Sequence, residues 1–92
     1  MNNLDAVVTK IIEEQELVIG PLAWSEAKKV TGLSVTDHTA QIMAVSNSGE
    51  VVNRLVAQYE RLFGKASHEV CREAAAGLLA SMSKDEIPVS LR

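Results

Sequence analysis

The residues in this chain with the clearest chemical potential are His68 and Cys71, which stand three positions apart. On a helix this spacing places two side chains on one face, where an imidazole and a thiol could share a metal ion. A zinc site needs about four ligands, or three ligands and an open position, and no CxxC or HExxH motif supplies the others. We therefore expect no metal site, and we retain His68, Cys71 and His38 only as weak candidates for one.

Catalysis by these residues is not expected either. A Cys–His nucleophile needs a third group to orient the imidazole, and the apolar neighbours Val70 and Ala74 favour a raised thiol pKa. The carboxylates of Glu13, Glu14 and Glu16 form a short run typical of a solvated helix face, whereas acid–base pairs need two different environments. The sequence thus predicts a protein that is not an enzyme and has no cofactor.

The composition limits the elements that can position these residues. The chain has 92 residues, of which 47% are hydrophobic, and its three aromatic residues are Trp24, Tyr59 and Phe63. A chain of this length builds one domain, over residues 1–92, with a core made mainly of Val, Ile, Leu and Ala. Because such a core is small, association with another chain is expected.

Charge and hydropathy exclude several classes of partner. The formal net charge is −3, and the basic residues are dispersed along the chain, so we expect no nucleic-acid binding. The start of the sequence lacks the basic segment of a signal peptide, and no apolar run approaches the roughly 20 residues that span a bilayer. The single cysteine fits a reducing compartment. We therefore expect a cytoplasmic protein that does not contact membranes.

Apolar residues recur at helical spacing in two stretches of the chain. The second stripe begins at Val51 and is the first, at Val7, displaced by 51 − 7 = 44 positions. Gly20 and Gly64 coincide at the same offset, each directly after a bulky apolar pair. The sequence therefore predicts an internal repeat, with one unit over residues 4–31 and a second over residues 48–83.

The glycines divide each unit into two helices. Gly20 with Pro21 fits the end of one helix and the first turn of the next, because glycine tolerates unusual backbone angles and proline lacks an N–H. In the second unit Lys65 replaces the proline, so Gly64 marks either a break or a bend in a longer helix. No Walker or dinucleotide pattern surrounds either glycine. We expect a mainly α fold, a small bundle of two helix–Gly(Pro)–helix repeats.

Residues 32–47 form the connector between the units, and two structures fit this segment. It reads either as a short β-hairpin or as a short helix from Ala40 to Val45 capped by Asp37, and the hairpin is slightly favoured. Asn47 and Glu50 have the spacing of a capping box at the start of the next helix. The tail, residues 84–92, is expected to leave the last helix.

Four residues are candidates for an interface with another protein. They are Trp24, Tyr59, Phe63 and His68. Trp24 stands just after the first break and fits either this chain's own core or an interface anchor, where tryptophan is enriched. Its counterpart in the second unit is His68. A protein partner, with a symmetric homodimer as the expected assembly, follows from the small core and the Ala-rich helices.

The segment "ELVIGPLAWSEAKKV" resembles small helical modules with a bulky-Gly-Pro-x-Ala core that lie at the ends of bacterial signalling proteins. The matching residues are Ile19, Gly20, Pro21 and Ala23 in the first unit and Phe63 with Gly64 in the second. This resemblance implies a non-catalytic adaptor or regulatory module in a bacterial signalling or motility system. The alternative, from the residues themselves, is a metal- or small-ligand-binding sensor that uses His68 and Cys71.

Overall fold

The structure, a computed structural model, describes residues 3–43 and 47–92. In these residues the chain forms four α-helices, one β-hairpin and two short 3₁₀ turns. The elements are α1 (Asn3–Ile19), α2 (Leu22–Ala27), β1 (Leu33–Thr36), β2 (Thr39–Ile42), α3 (Ser48–Phe63), α4 (Lys65–Leu79), and the 3₁₀ turns Lys84–Glu86 and Val89–Leu91. The predicted mainly α fold, with two helix–glycine–helix units and a hairpin between them, is confirmed. Among the described residues, no helix is long and apolar enough to cross a bilayer.

The two predicted apolar stripes form the centre of the core. Val7, Val8, Ile11 and Ile12 of α1 are fully buried, and the corresponding residues of α3, which are Val51, Val52, Leu55 and Val56, are equally inaccessible. Burial of one such side chain contributes about 1.5–3 kcal/mol to folding, so these two faces supply much of the stability. Helix α4 lies antiparallel to α1, since Gln15 contacts Ser67 and Cys71 while Thr9 lies near Leu78.

Both glycine breaks have the backbone geometry that only glycine adopts easily. The φ angles are 73° at Gly20 and 89° at Gly64. Each glycine N–H closes the preceding helix on the carbonyl four residues back, that of Glu16 at 2.9 Å and that of Glu60 at 2.8 Å. In the second unit the chain is broken rather than bent, because α3 ends at Phe63 and α4 begins at Lys65.

The connector is a hairpin, as the favoured alternative predicted. Asp37 and His38 form its two-residue turn with φ angles of 45° and 61°, the sign required by a type I′ turn. The short-helix alternative is wrong over the described residues, since Thr39–Ile42 is a strand; Val45 lies outside them. Asn47 begins α3 as predicted, because its side-chain oxygen accepts a hydrogen bond from the Glu50 N–H at 3.1 Å.

Side chains of α1 hold the outer edge of the hairpin. The Thr9 hydroxyl accepts from the Ala40 N–H and donates to the Ala40 carbonyl, both at 3.1 Å. One helical turn earlier, the Asp5 carboxylate accepts from the Ile42 N–H at 2.8 Å. These bonds occupy backbone groups of β2 that would otherwise be available for pairing with another strand.

The tail leaves the last helix, as predicted, because α4 ends at Leu79. Residues 84–92 fold back onto α3 and α4, and Pro88 and Leu91 are buried there. Ser83 and Glu86 form a capping box that starts the first 3₁₀ turn. The polar residues of this segment and Pro88 do not indicate where the tail packs. Burial of Leu91 and partial burial of Ile87 hold it against α3 and α4.

Candidate functional site

The two glycine breaks lie at the same end of the molecule. The Gln15 side-chain amide donates to the carbonyl of Ser67 at 2.9 Å, and the Tyr59 hydroxyl donates to the carbonyl of Ala23 at 2.7 Å. Each bond joins a residue shortly before one break to a residue shortly after the other. Gly20 and Gly64 are therefore neighbours at one end of the bundle, which we call the break end.

The break end carries an exposed apolar surface. Four of the seven large apolar side chains that are exposed in the described residues belong to the helix ends that meet there. They are Leu17, 82% exposed; Val18, 66%; Leu22, 45%; and Leu62, 42%. We call these four residues the break-end surface. A concentration of apolar side chains in one region of a small protein marks an interaction site more often than single exposed residues do.

The aromatic residues proposed for an interface lie largely in the chain's own core. Tyr59 is 0% exposed, so its surface role is corrected: its position on the α3 apolar stripe directs it inward. Trp24 is 7% exposed and meets the ring of His38 edge-on, with centroids 5.0 Å apart. The indole N–H of Trp24 is buried and has no hydrogen-bond partner within residues 3–43 and 47–92. Phe63 is half-buried and packs against the core at the break end.

The sequence did not predict the break-end surface, because its residues lie at the ends of helices. Val18 and Leu62 belong to the apolar stripes, which predicted burial, but both lie where a helix ends and the core no longer covers it. Leu17 lies off the stripe. A leucine outside the apolar face near the end of a helix was the sequence signal that could have indicated this surface.

His68 is held between two hydrogen-bond acceptors. Its Nδ1 lies 2.7 Å from a carboxylate oxygen of Glu60, and its Nε2 lies 2.5 Å from the carbonyl oxygen of Ser90. The bond to Ser90 and, to a smaller extent, the Glu60 carboxylate raise the pKa of His68, while partial burial opposes the change. His68 therefore links α3, α4 and the folded-back tail.

Cys71 faces a different environment from His68. Its thiol is buried, and the Gln15 amide contacts the sulfur at 3.4 Å. Burial raises the pKa of the Cys71 thiol to about 11, which keeps it protonated at neutral pH. His38, the third candidate ligand, lies at the hairpin turn, 3.7 Å from Glu16. Over residues 3–43 and 47–92, no three His, Cys, Asp or Glu side chains come together in a way that could hold a metal.

A shallow groove of about 320 Å³ lies between α1 and β2, closed at one side by Leu78. Its lining combines apolar side chains, such as Ala6 and Ala40, with the charged side chains of Lys10 and Glu13. Neither His68 nor Cys71 lines this groove. The candidate sensor residues and the groove are thus separate features of the molecule.

Comparisons with protein-family models, with curated proteins and with solved structures gave no match to this chain. The fold and the geometry define the class of protein: a small helical bundle of two helix–glycine–helix units with a hairpin between them.

Proposed function

We propose that this protein is a non-catalytic protein-interaction module that forms a symmetric dimer through the break-end surface. The observation that carries this proposal is the gathering of Leu17, Val18, Leu22 and Leu62 at one end of the bundle. Exposed side chains of this size gain free energy when a second surface covers them, at about 25 cal/mol for each Å² removed from water. The core-facing side chains are already buried, whereas these four side chains are left exposed to an external partner.

A second copy of the chain is the partner that fits the surface best. In a symmetric dimer the same patch is present on both partners and must complement itself. Val18 and Leu62 lie at equivalent positions of the two units, since 62 − 18 = 44, and both are exposed. The patch thus presents one pair of equivalent apolar side chains, while the counterparts of Leu17 and Leu22 are Arg61 and Ala66. We propose that the Val18–Leu62 pair forms the centre of the contact with a second copy.

We also infer that the two units are copies of one helix–break–helix unit. The support is that equivalent glycines make equivalent bonds: Ala23 N–H to Gly20 at 3.0 Å and Ser67 N–H to Gly64 at 3.1 Å. Together with the resemblance to modules at the ends of bacterial signalling proteins, this leads us to propose an adaptor role in a bacterial signalling or motility system. A cytoplasmic location is part of the same proposal.

The sensor hypothesis receives less support from the structure. A metal at His68 and Cys71 would have to displace either Glu60 or Ser90 from one ring nitrogen and deprotonate a buried thiol. Both changes oppose binding, because a metal ligand must present a free lone pair and a thiolate. We therefore propose the interaction module and not the sensor.

The test is the mass of the protein in solution as a function of concentration. Sedimentation equilibrium of the wild-type chain should show a reversible monomer–dimer equilibrium, and the double variant Leu17→Gln/Leu62→Gln should remain monomeric. Met43→Gln is the matched control, because Met43 is 62% exposed but follows β2, away from the break end. A wild-type protein that stays monomeric at millimolar concentration would refute the dimer, as would a control that dissociates as readily as the double variant.

A further inference from the structure

Residues 84–92, which we call the strap, are attached to α3 and α4 by a small set of contacts. Leu91 and Pro88 are buried at the strap's underside. The side-chain oxygen of Asn53 accepts two hydrogen bonds from Ser90, from the N–H at 3.0 Å and from the hydroxyl at 2.6 Å. A further polar attachment is the bond between His68 and the Ser90 carbonyl. Ser90 is thus fixed on both its amide and its carbonyl side.

The attachment through His68 depends on the number of protons on the imidazole. A carbonyl oxygen and an ionised carboxylate can only accept hydrogen bonds, and these are the two groups that face the ring nitrogens. A neutral imidazole has one N–H and satisfies one of them, which leaves a ring lone pair directed at the other. The imidazolium donates to both. The docked strap therefore binds the protonated ring more strongly than the neutral one.

We propose that His68 is a proton-operated latch, which holds the strap on α3 and α4 when the ring is protonated and releases it when the proton leaves. Release uncovers the apolar site of Leu91, together with the amide of Asn53. The latch therefore controls access to a surface on α3 and α4 that is distinct from the break-end surface.

The groups around the His68 ring decide whether the strap is released at low or at high pH. Glu60 faces it from α3, Glu69 lies one residue away on α4, and the strap contributes the carbonyl of Ser90. The bond to the Ser90 carbonyl, which has the largest effect, and the two carboxylates raise the pKa of His68 above its ordinary value of 6.5, against the effect of partial burial. Both carboxylates stay beside the ring when the strap leaves, so the Ser90 bond is what makes the docked pKa higher than the undocked pKa. Protonated His68 stabilises the docked strap fully at any pH below the pKa that the ring has when the strap is undocked. This stabilisation is lost as the pH rises through the higher pKa of the docked state. The strap is accordingly held at slightly acidic pH and released at alkaline pH.

The test is a pair of NMR measurements on the whole chain. A titration of the His68 ring should give a pKa above its ordinary value of 6.5. Hydrogen exchange, corrected for intrinsic rates, should show lower protection of the Ser90 and Leu91 amides at pH 8.5 than at pH 6, because the neutral ring holds the strap less strongly. Amides of α1, such as that of Ile11, should keep their protection over the same range.

Two variants and one control separate a latch from a purely structural contact. His68→Gln cannot gain a proton, so its strap protection should be independent of pH. Glu60→Gln keeps a side-chain amide near Nδ1 but removes the negative charge, so release should move to lower pH. His38→Gln, the matched control at the hairpin turn, should behave as wild type. Equal strap protection at pH 6 and pH 8.5 in the wild type, or an unchanged pH response in both latch variants, would overturn the proposal.

Discussion

Gln15 and Tyr59 stand 59 − 15 = 44 positions apart, and each donates a hydrogen bond to a carbonyl in the second helix of the other unit. The accepting residues, Ser67 and Ala23, are again 67 − 23 = 44 positions apart. The units are therefore joined by a reciprocal pair of buried bonds. Both donors are fully buried, so these bonds form where water cannot replace them.

The two halves of this reciprocal pair should differ in their contribution to stability. Tyr59→Phe removes only the hydroxyl and leaves the Ala23 carbonyl without that donor, so we expect a loss of about 1–2 kcal/mol in the free energy of unfolding. Gln15→Met should cost less than Tyr59→Phe. It loses the bond to Ser67 and the weaker one to the Cys71 sulfur, but it also removes the buried Gln15 side-chain oxygen, which has no partner among the described residues.

Urea unfolding followed by circular dichroism measures both variants against the wild type. Tyr59→Phe is nearly isosteric, so packing changes contribute little to the difference. A larger loss of unfolding free energy for Gln15→Met than for Tyr59→Phe would contradict the expectation that the unpaired Gln15 oxygen destabilises the fold.

Replacement of Gly64 and of Gly77 by alanine should change the free energy of unfolding in opposite directions. Gly64 has φ 89° and ψ −179°, a conformation that is essentially restricted to glycine, and no atom lies within 4 Å of an added Cβ. Gly64→Ala should therefore cost about 1–3 kcal/mol through backbone strain alone. Gly77 lies within α4 and is exposed, so Gly77→Ala should raise the stability by about 0.5–1 kcal/mol.

Thermal and urea unfolding of the two single variants decide this prediction. An equal effect of the two substitutions would show that Gly64 is not held at its observed backbone angles, and that the break is a flexible bend.

The helical elements could be predicted from the sequence because their signals are local. The apolar stripes have a period that only a helix satisfies, and Gly20 and Gly64 each follow such a stripe directly. The hairpin was only slightly favoured, because its turn is Asp37–His38 rather than the Asn-Gly or Asp-Gly that marks a type I′ turn most clearly.

The contacts of His68 could not be predicted in this way. Helical spacing paired it with Cys71, whereas the structure pairs it with Glu60, across the glycine break, and with Ser90, in the folded-back tail. Both partners depend on tertiary packing: the first on the angle between α3 and α4, the second on burial of Leu91. Cys71 faces Gln15 because the α1–α4 contact, and not α4 alone, decides which side of α4 is covered.

The environment of Cys71 predicts an unreactive thiol. It is fully buried, and desolvation raises its pKa to about 11, with the Gln15 contact opposing this only in part. Only the thiolate attacks a disulfide reagent, so both access and ionisation limit the reaction.

In the folded protein at pH 8, Cys71 should react with an aromatic disulfide reagent at least about 100-fold more slowly than an exposed cysteine, because burial restricts access and suppresses the thiolate. The variant Ala76→Cys supplies the comparison within one molecule, since Ala76 is exposed on the same helix. Its reaction should show one fast phase and one slow phase, and the slow phase should become fast in urea. Two fast phases in the folded variant would show that the thiol at Cys71 is accessible and that the α1–α4 contact opens readily.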